Sequence, residues 1–401
     1  MILKFKVKNR LLFFVSILLF SSFFNAQTDT VLYPQKDIVD AYYKIINHKC
    51  KAPSHCEPKK ISFSSAPGIG YTLHTKFAVA YAMNFAFHTS KDKKTNLSVI
   101  NVLPVLSQSK QFEFLIQSNI WAKQNKYNFQ GDYRYYKYPQ YSYGLGGHTS
   151  LAVNNFMDYS YIVLKQAVLK SFGNNFFGGG GYNFDYHTHI TESGNSDGNE
   201  SDFDKYGATI SSISTGPSLH FLHDNRKNLI NPLAGLYSNV IYRYNLKTLG
   251  SNTNWQSLII DVRKYIKLPG TSRNILAFWS YNWFTFGGKA PYLDLPSTAW
   301  DTYSNMGRGY TQSRFTGKNL LYLEAEYRFT ILKNGLLGGV VFTNAQSVSD
   351  WPGNKFTVLW PAAGCGLRIK VNKHSNTNIS IDYGIGLGGS NGFFVNLGEV
   401  F

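Results

Sequence analysis

The 401-residue sequence has little of what marks several common protein classes. Beyond its N-terminal stretch, no segment approaches the roughly 18 consecutive apolar residues of a membrane helix. The glycines from Gly178 to Gly181 lack the Lys-Ser/Thr that completes a phosphate-binding loop. His187 and His189 stand two apart on a strand pattern, a spacing that favours solvated side chains over a metal site. We therefore predict no enzymatic activity, no cofactor and no metal.

Cysteine and acidic residues are also scarce. Of three cysteines, Cys50 and Cys56 are close enough to form a disulfide or to remain free thiols, and Cys365 falls at an outward strand position. Only 23 acidic residues oppose 40 lysines and arginines, a formal net charge of +17. Such an excess attracts lipid phosphates, acidic polypeptides or nucleic acid. No nucleic-acid-binding motif accompanies it, so nucleic acid is not an expected partner.

The N-terminus has the pattern of a secretory signal peptide. Three lysines and Arg10 precede an apolar stretch, Leu11 to Phe24, and Ala26 offers a cleavage point. We predict a signal peptide over 1–26 and a short periplasmic segment over 27–60. Within it, Gln35 to Lys49 places several apolar residues on one helical face, which predicts a short amphipathic helix. This helix could dock on the mouth of a barrel, or the segment could be a frayed leader.

Apolar and polar residues alternate with a period of two over most of the remaining chain, which is typical of strands with one buried face. Because a single-chain membrane barrel has an even number of strands, about sixteen such runs predict an all-β, transmembrane antiparallel β-barrel over 61–401. A soluble two-sheet sandwich is the alternative, but it would not repeat so many strands of ten or more residues. The predicted runs are 62–73, 76–88, 95–107, 110–123, 127–138, 154–170, 173–189, 206–222, 233–247, 253–267, 272–286, 317–332, 335–348, 356–371, 376–388 and 391–401.

The alternation also assigns the two faces of the predicted wall. In the run from Leu321 to Thr330 the apolar residues take one face, and Glu324, Glu326 and Arg328 take the other. A charge on the lipid face near the middle of a bilayer costs about 2 to 4 kcal/mol. These three side chains are therefore expected to point into the lumen.

A loop of about thirty residues separates the runs that end near Phe286 and begin near Thr316, and it contains the sequence MGRGYTQSRF. Here the chain resembles the BamA/TamA-like superfamily of outer-membrane barrels, the bacterial surface antigen family. That family's long loop carries an Arg-Gly-Tyr/Phe motif, matched here by Arg308, Gly309 and Tyr310. The following strand ends in Glu-x-Arg-Phe, matched by Glu326, Arg328 and Phe329. The terminal Phe401 and the segments PGIGY (67–71), YSYGLG (141–146) and DYGIGLG (382–388) extend the resemblance over most of the mature chain.

The resemblance implies that the long loop folds into the lumen. Arg308 would then need carboxylate partners, for which Glu324 and Glu326 are in reach. The chain departs from the family in two respects. An inward aspartate on the next strand is replaced by Asn344, which could still accept a hydrogen bond from Arg308. The family's periplasmic polypeptide-transport-associated domains are missing, so a periplasmic or membrane partner could replace them.

The resemblance also directs attention to a lateral seam between the first and last strands, at Pro67, Gly68, Gly70, Gly398 and Phe401. Proline lacks an amide hydrogen and glycine adds no side-chain packing, so pairing there should be weak. The implied function is insertion or translocation of protein or lipid in the outer membrane of a Gram-negative bacterium, with outer-membrane lipid and unfolded outer-membrane protein as candidate partners. The alternative is a passive pore with a cationic lumen. Its anion preference would come from the lumen arginines Arg134, Arg263 and Arg368.

Overall fold

In the computed structural model, most of the described residues belong to one antiparallel sheet that closes on itself. The structure describes residues 35–38, 40–41, 61–92, 95–152, 154–194, 198, 200–226, 228–269, 273–373 and 376–401. The predicted signal peptide, the possible Cys50–Cys56 disulfide and most of the predicted periplasmic helix lie outside these ranges. Of that helix, Ile38, Asp40 and Ala41 are described and helical.

The described residues form seventeen strands, of which β6 is a three-residue strand that follows β5 and pairs with the same neighbour, β7. The barrel wall therefore has sixteen strands, and the predicted antiparallel barrel is confirmed. The strands are β1 (Ile61–Thr72), β2 (Lys76–Phe87), β3 (Ser98–Ser107), β4 (Phe112–Trp121), β5 (Tyr127–Lys137), β6 (Gln140–Ser142), β7 (Asn155–Gly173), β8 (Phe176–Ser193), β9 (Ser211–Asp224), β10 (Gly235–Asn245), β11 (Trp255–Lys267), β12 (Ile275–Phe286), β13 (Asn319–Thr330), β14 (Leu337–Val348), β15 (Trp360–Asn372), β16 (Thr377–Gly386) and β17 (Asn391–Leu397).

Apart from Ile38, Asp40 and Ala41, helical structure within the described residues is limited to short segments in the connections. An α-helix covers Asp202–Gly207, and single 3-10 turns cover Lys123–Asn125, Lys247–Leu249 and Tyr292–Asp294. Among these residues, no helix has the length and apolar composition of a membrane span.

The alternating pattern sorts side chains to the two faces of the wall as expected. Phe77 and Val79 on β2 are 62% and 59% exposed on the outside, and Cys365 on β15 is also exposed there. Glu324, Glu326 and Arg328 on β13 are buried on the inside. The outer surface of the barrel is thus largely apolar, and the polar and charged side chains line the lumen.

Two ends of the barrel can be distinguished. The end where β1 begins and β17 ends is called the terminal end. The opposite end, where residues 287–318 connect β12 to β13, is called the loop end. Residues 287–318, hereafter the long loop, fill much of the lumen together with buried aromatic side chains. At the terminal end, the described part of the N-terminal segment crosses the rim. There the Lys36 amide donates to the carbonyl of Asn334, and Lys373 forms an ion pair of 2.6 Å with Asp40.

The barrel closes between β1 and β17, and this closure differs from the rest of the wall. β1 pairs with β2 along its whole length, from Ile61 opposite Phe87 to Thr72 opposite Lys76. Its register with β17 consists of one pair in the described residues, Tyr71 opposite Val395. The predicted last strand, 391–401, was too long, because β17 ends at Leu397 and the chain then turns away from the wall.

Candidate functional site

The long loop brings its Arg-Gly-Tyr motif into the lumen, where Arg308 and Tyr310 are each 1% exposed. Glycines on both sides of Arg308 make this approach possible. Gly307 and Gly309 have φ values of 85° and 101°, a region that other residues rarely adopt. A Cβ on Gly309 would also lie 2.9 Å from the Cβ of Ala362 on β15. The motif is therefore fitted against the wall by backbone that has no room for larger residues.

Arg308 binds three carboxylates in the lumen. Its Nη1 lies 2.5 Å from Asp382 on β16, and its Nη2 donates to both Glu324 and Glu326 on β13. All four side chains are at most 1% exposed. Burial alone would lower the pKa of Arg308, but the three carboxylates outweigh it and hold the pKa well above its usual value. The guanidinium remains charged and joins the long loop to two separate strands.

Two further arginines share these carboxylates. Arg328 on β13 lies 2.7 Å from Glu326, and Arg368 on β15 lies 2.5 Å from Asp382. We call these three arginines, with Glu324, Glu326 and Asp382, the arginine cluster. Such a buried network gives strong orientation, because removing one member leaves another charge without its partner.

Part of this cluster was expected from the sequence. The structure brings Arg308 to Glu324 and Glu326, and places Arg328 beside Glu326 instead of against the loop arginine. Asn344 does not accept from the guanidinium, whose two Nη atoms bind the three carboxylates; its side-chain amide donates to the main-chain carbonyl of Arg308, 2.9 Å away. Asp382 was missed as a partner, although its inward strand position and its place in DYGIGLG could have indicated it.

Tyr310 fixes the loop a second time. Its hydroxyl donates to the carbonyl of Pro361 at 2.6 Å and accepts from the amide of Leu387 at 2.9 Å, so it joins β15 to the segment after β16. The ring packs against Phe315 and Trp360. The motif thus combines a charged contact with an aromatic one, both on the β13 to β16 side of the wall.

The chain end also enters the lumen. Gly398 has a φ of 105°, and after it the last three residues turn inward; we call Gly398 to Phe401 the C-terminal hook. Glu399 accepts from Arg368 Nε and from Asn378 Nδ2, both at 2.7 Å. Arg328 Nη2 donates to the carbonyl oxygen of Phe401 at 2.9 Å. The hook is therefore held by two arginines of the arginine cluster.

The position of the hook corrects the predicted seam. Phe401 is 4% exposed and packs 5.2 Å from the ring of Trp279 in the lumen, so it does not take part in pairing with β1. Gly398 likewise lies beyond β17. Burial raises the pKa of Glu399, but Arg368 and Arg328 lower it further, so the net shift is downward and favours the carboxylate.

On the β1 side of the seam, Pro67, Gly68 and Gly70 lie within the strand, opposite Tyr81, Ala80 and Ala78 of β2. A Cβ on Gly70 would lie 3.3 Å from the carbonyl oxygen of Val395 on β17, so the two strands come close there. If β17 continued in the register of Tyr71 and Val395, Glu399 would stand opposite Pro67. The hook removes this continuation from the seam.

The other lumen arginines named by the sequence are paired. Arg134 lies 2.5 Å from Asp132, and Arg263 lies 2.7 Å from Asp261. Their positive charge is thus locally neutralised.

The histidines behave differently from each other. His187 is buried and stacks on Tyr161 with 3.9 Å between ring centroids, whereas His189 is exposed. Within the described ranges, no three His, Cys, Asp or Glu side chains are grouped as a metal ion would require.

The barrel is similar in fold to solved structures of bacterial outer-membrane proteins. BamA from Haemophilus ducreyi lacking POTRA domains 1–3 matches with a TM-score of 0.57 and 13% identity, over 85% of this chain and 70% of that one. CdiB from Acinetobacter baumannii matches with a TM-score of 0.52 and 14% identity, over 85% and 60%. CdiB from Escherichia coli matches with a TM-score of 0.56 and 10% identity, over 86% and 63%.

At these identities the likeness shows the fold. No protein-family model matches the sequence, and no curated protein matches it. The fold and its lumen define a sixteen-stranded barrel of the kind found in bacterial outer membranes. The chain shares its overall arrangement with the barrels of BamA and CdiB.

Proposed function

We propose that this chain is a non-enzymatic outer-membrane barrel that assists the insertion or translocation of protein or lipid by opening between β1 and β17. The carrying observation is the difference between the two edges of β1, which pairs fully with β2 and through one residue pair with β17. An incompletely paired edge offers free backbone N–H and C=O groups to an incoming strand. The similarity to BamA and CdiB barrels supports the proposal.

The C-terminal hook determines how much of the β1 edge is unpaired. While Glu399 and Phe401 stay on Arg368 and Arg328, the end of β17 cannot extend along β1. The free part of β1 then faces the membrane without a partner strand. An incoming strand or lipid could occupy this part without first breaking a ladder.

The barrel would lie with its terminal end toward the periplasm, where the described N-terminal residues cross the rim. The substrate would be an unfolded outer-membrane protein or a lipid. A periplasmic or membrane partner would deliver the substrate to the barrel.

A cross-link across the seam tests this function. In a background with Cys50, Cys56 and Cys365 changed to Ser, Tyr71→Cys and Val395→Cys should form a disulfide, because residues directly opposite on neighbouring strands are close enough. Ile381→Cys with Val395→Cys is the matched control, since this pair lies within the β16–β17 ladder. The readout is the folding of an unfolded outer-membrane protein into liposomes that contain the variant.

We expect oxidation of the seam pair to abolish this activity, reduction to restore it, and the control pair to leave it unchanged. Both oxidised barrels should stay folded, as judged by their heat-dependent shift on a gel. Full activity with the seam cross-linked would argue against lateral opening. Planar-bilayer conductance is a second check, because a steady, large conductance would favour the passive pore instead.

A further inference from the structure

A cavity opens at the terminal end of the lumen, on the side away from the Arg-Gly-Tyr motif. It has a volume of about 160 Å³ and lies between the ends of β11 to β16. Five cationic side chains and one carboxylate line it: Lys267, Arg273, Arg328, Arg368, Lys370 and Glu399. The lining therefore has more cations than carboxylates.

Arg328 points to a ligand in this cavity. Its Nε donates to Glu326 and its Nη2 to the Phe401 carbonyl oxygen, but Nη1 is buried and has no hydrogen-bond partner. The residue is 5% exposed and lines the cavity. A buried, charged donor without an acceptor is costly, so an acceptor in the cavity would remove that cost.

The neighbouring charges favour an anion as that acceptor. Lys370 is 6% exposed, and its amine is held by the side chain of Asn376. Lys267 is exposed at the rim. Glu399 is the carboxylate of the lining, and its charge is already matched by Arg368 at 2.7 Å. Arg328 and Arg368 are already paired with Glu326 and Asp382, so a second anion would be attracted mainly by Lys267 and Lys370.

We propose that this cavity binds a phosphate group, carried either by a lipid headgroup or by a small soluble phosphate ester. Phosphate has several acceptor oxygens and up to two negative charges, so it can be held by cations from different strands at once. Apolar residues of the same lining, Leu233, Ile275 and Leu337, would pack against the organic part of the ligand. This proposal does not depend on lateral opening.

Calorimetric titration of the full chain in a zwitterionic detergent tests it, with inorganic phosphate and dihexanoylphosphatidic acid as probes. The test variant is Lys267→Gln with Lys370→Gln, which removes two charges and keeps hydrogen-bonding side chains. The matched control is Lys247→Gln with Lys318→Gln, which removes two charges at the loop end. Each variant is checked for its heat-dependent gel shift, and Lys267→Gln alone replaces the double variant if that one does not fold.

We expect saturable binding in the parent and the control, and a loss of at least about tenfold in affinity in the test variant, since a hydrogen bond to a charged group contributes enough for that factor. Tighter binding of the phosphatidic acid than of phosphate would identify a lipid headgroup, and equal binding would identify a soluble phosphate. No saturable binding of either probe, or an unchanged affinity in the test variant, would overturn the proposal.

Discussion

The two sides of this barrel are built very differently. On one side, β13 pairs with β14 from Leu320 to Thr330, and the buried arginine cluster ties the long loop to that wall. On the other side, β1 and β17 share one residue pair. The C-terminal hook connects the two, because Arg328 and Arg368 hold Glu399 and Phe401. The side with the arginine cluster thus helps to keep the end of the chain from pairing with β1.

The weak pairing of the seam has a different cause from the one that the sequence suggested. Pro67 and the glycines of β1 do not prevent pairing as such, because the same residues are in full register with β2. The seam is short because β17 ends at Leu397 and its continuation is held in the lumen. Pro67 matters in a second way, since a proline offers no N–H to any strand that might complete the seam.

The largest effect is expected on the well-bonded side. Arg308→Ala removes the common partner of three buried carboxylates and should lower the free energy of unfolding by about 3 to 5 kcal/mol. Arg314→Ala is the matched control in the same loop. Arg314 is also buried, but it bonds only to the hydroxyl and carbonyl of Thr149, both at 2.7 Å, and burial lowers its pKa to about 10.

Loss of the Arg314 side chain should lower the free energy of unfolding by less, about 1 to 3 kcal/mol. Urea unfolding in detergent, followed by the heat-dependent gel shift, measures both. An equal or greater loss in Arg314→Ala would contradict the central place of the arginine cluster.

The next largest effect is expected at the C-terminal hook, which links the two sides of the barrel. Glu399→Ala removes the carboxylate that Arg368 and Asn378 hold, and should cost about 1 to 3 kcal/mol. More specifically, it should free the chain end, so that a carboxypeptidase removes Phe401 much faster. Glu200→Ala, an exposed carboxylate at the loop end, should leave that rate unchanged. If Phe401 stays protected in Glu399→Ala, the hydrogen bonds from Arg328 and Asn305 and the aromatic contacts hold the hook without Glu399.

A smaller effect should follow from the turn into the hook. Gly398→Ala forces a side chain into a left-handed backbone conformation and should cost about 1 to 2 kcal/mol. Gly389→Ala, at a φ of 80° in the turn before β17, should cost a similar amount. Only Gly398→Ala places the strain in the hook. Digestion of Phe401 should therefore be faster in Gly398→Ala and remain at the parent rate in Gly389→Ala. The same digestion rate in both would show that the hook does not require Gly398.

The smallest effect is that of pH. Because the arginines lower the folded pKa of Glu399 below its ordinary value of 4.5, its contribution is fully present above that pH and is lost as the pH falls through the folded pKa. Exchange of the Gly398 amide, which donates to the carbonyl of Asn378 at 2.7 Å, should therefore stay slow from about pH 8 to pH 5. In more acidic buffer it should become faster than the intrinsic exchange rate accounts for. In Glu399→Gln the acid step should disappear. An acid step of equal size in that variant would assign it to another group.

Sequence reasoning reached most of the wall but only part of the lumen. The period-two alternation located all sixteen wall strands and placed Glu324, Glu326 and Arg328 on the inside. This was possible because successive side chains of a strand point to opposite faces of the sheet. It could not choose Asp382 over Asn344 as the third partner of Arg308, since that depends on how the long loop folds back. Nor could it predict the hook, because an alternating segment gives no sign that one glycine bends it out of the sheet.

Amide hydrogen exchange along β1, resolved by residue in detergent, tests the central claim most directly. In an antiparallel strand, alternate residues direct their N–H groups to opposite neighbours. If β1 is paired on one edge and largely open on the other, every second amide between Ile61 and Gly70 should be protected by β2, and those between them should exchange rapidly. Uniform protection of all these amides would mean that β17 completes the seam, and would contradict the account.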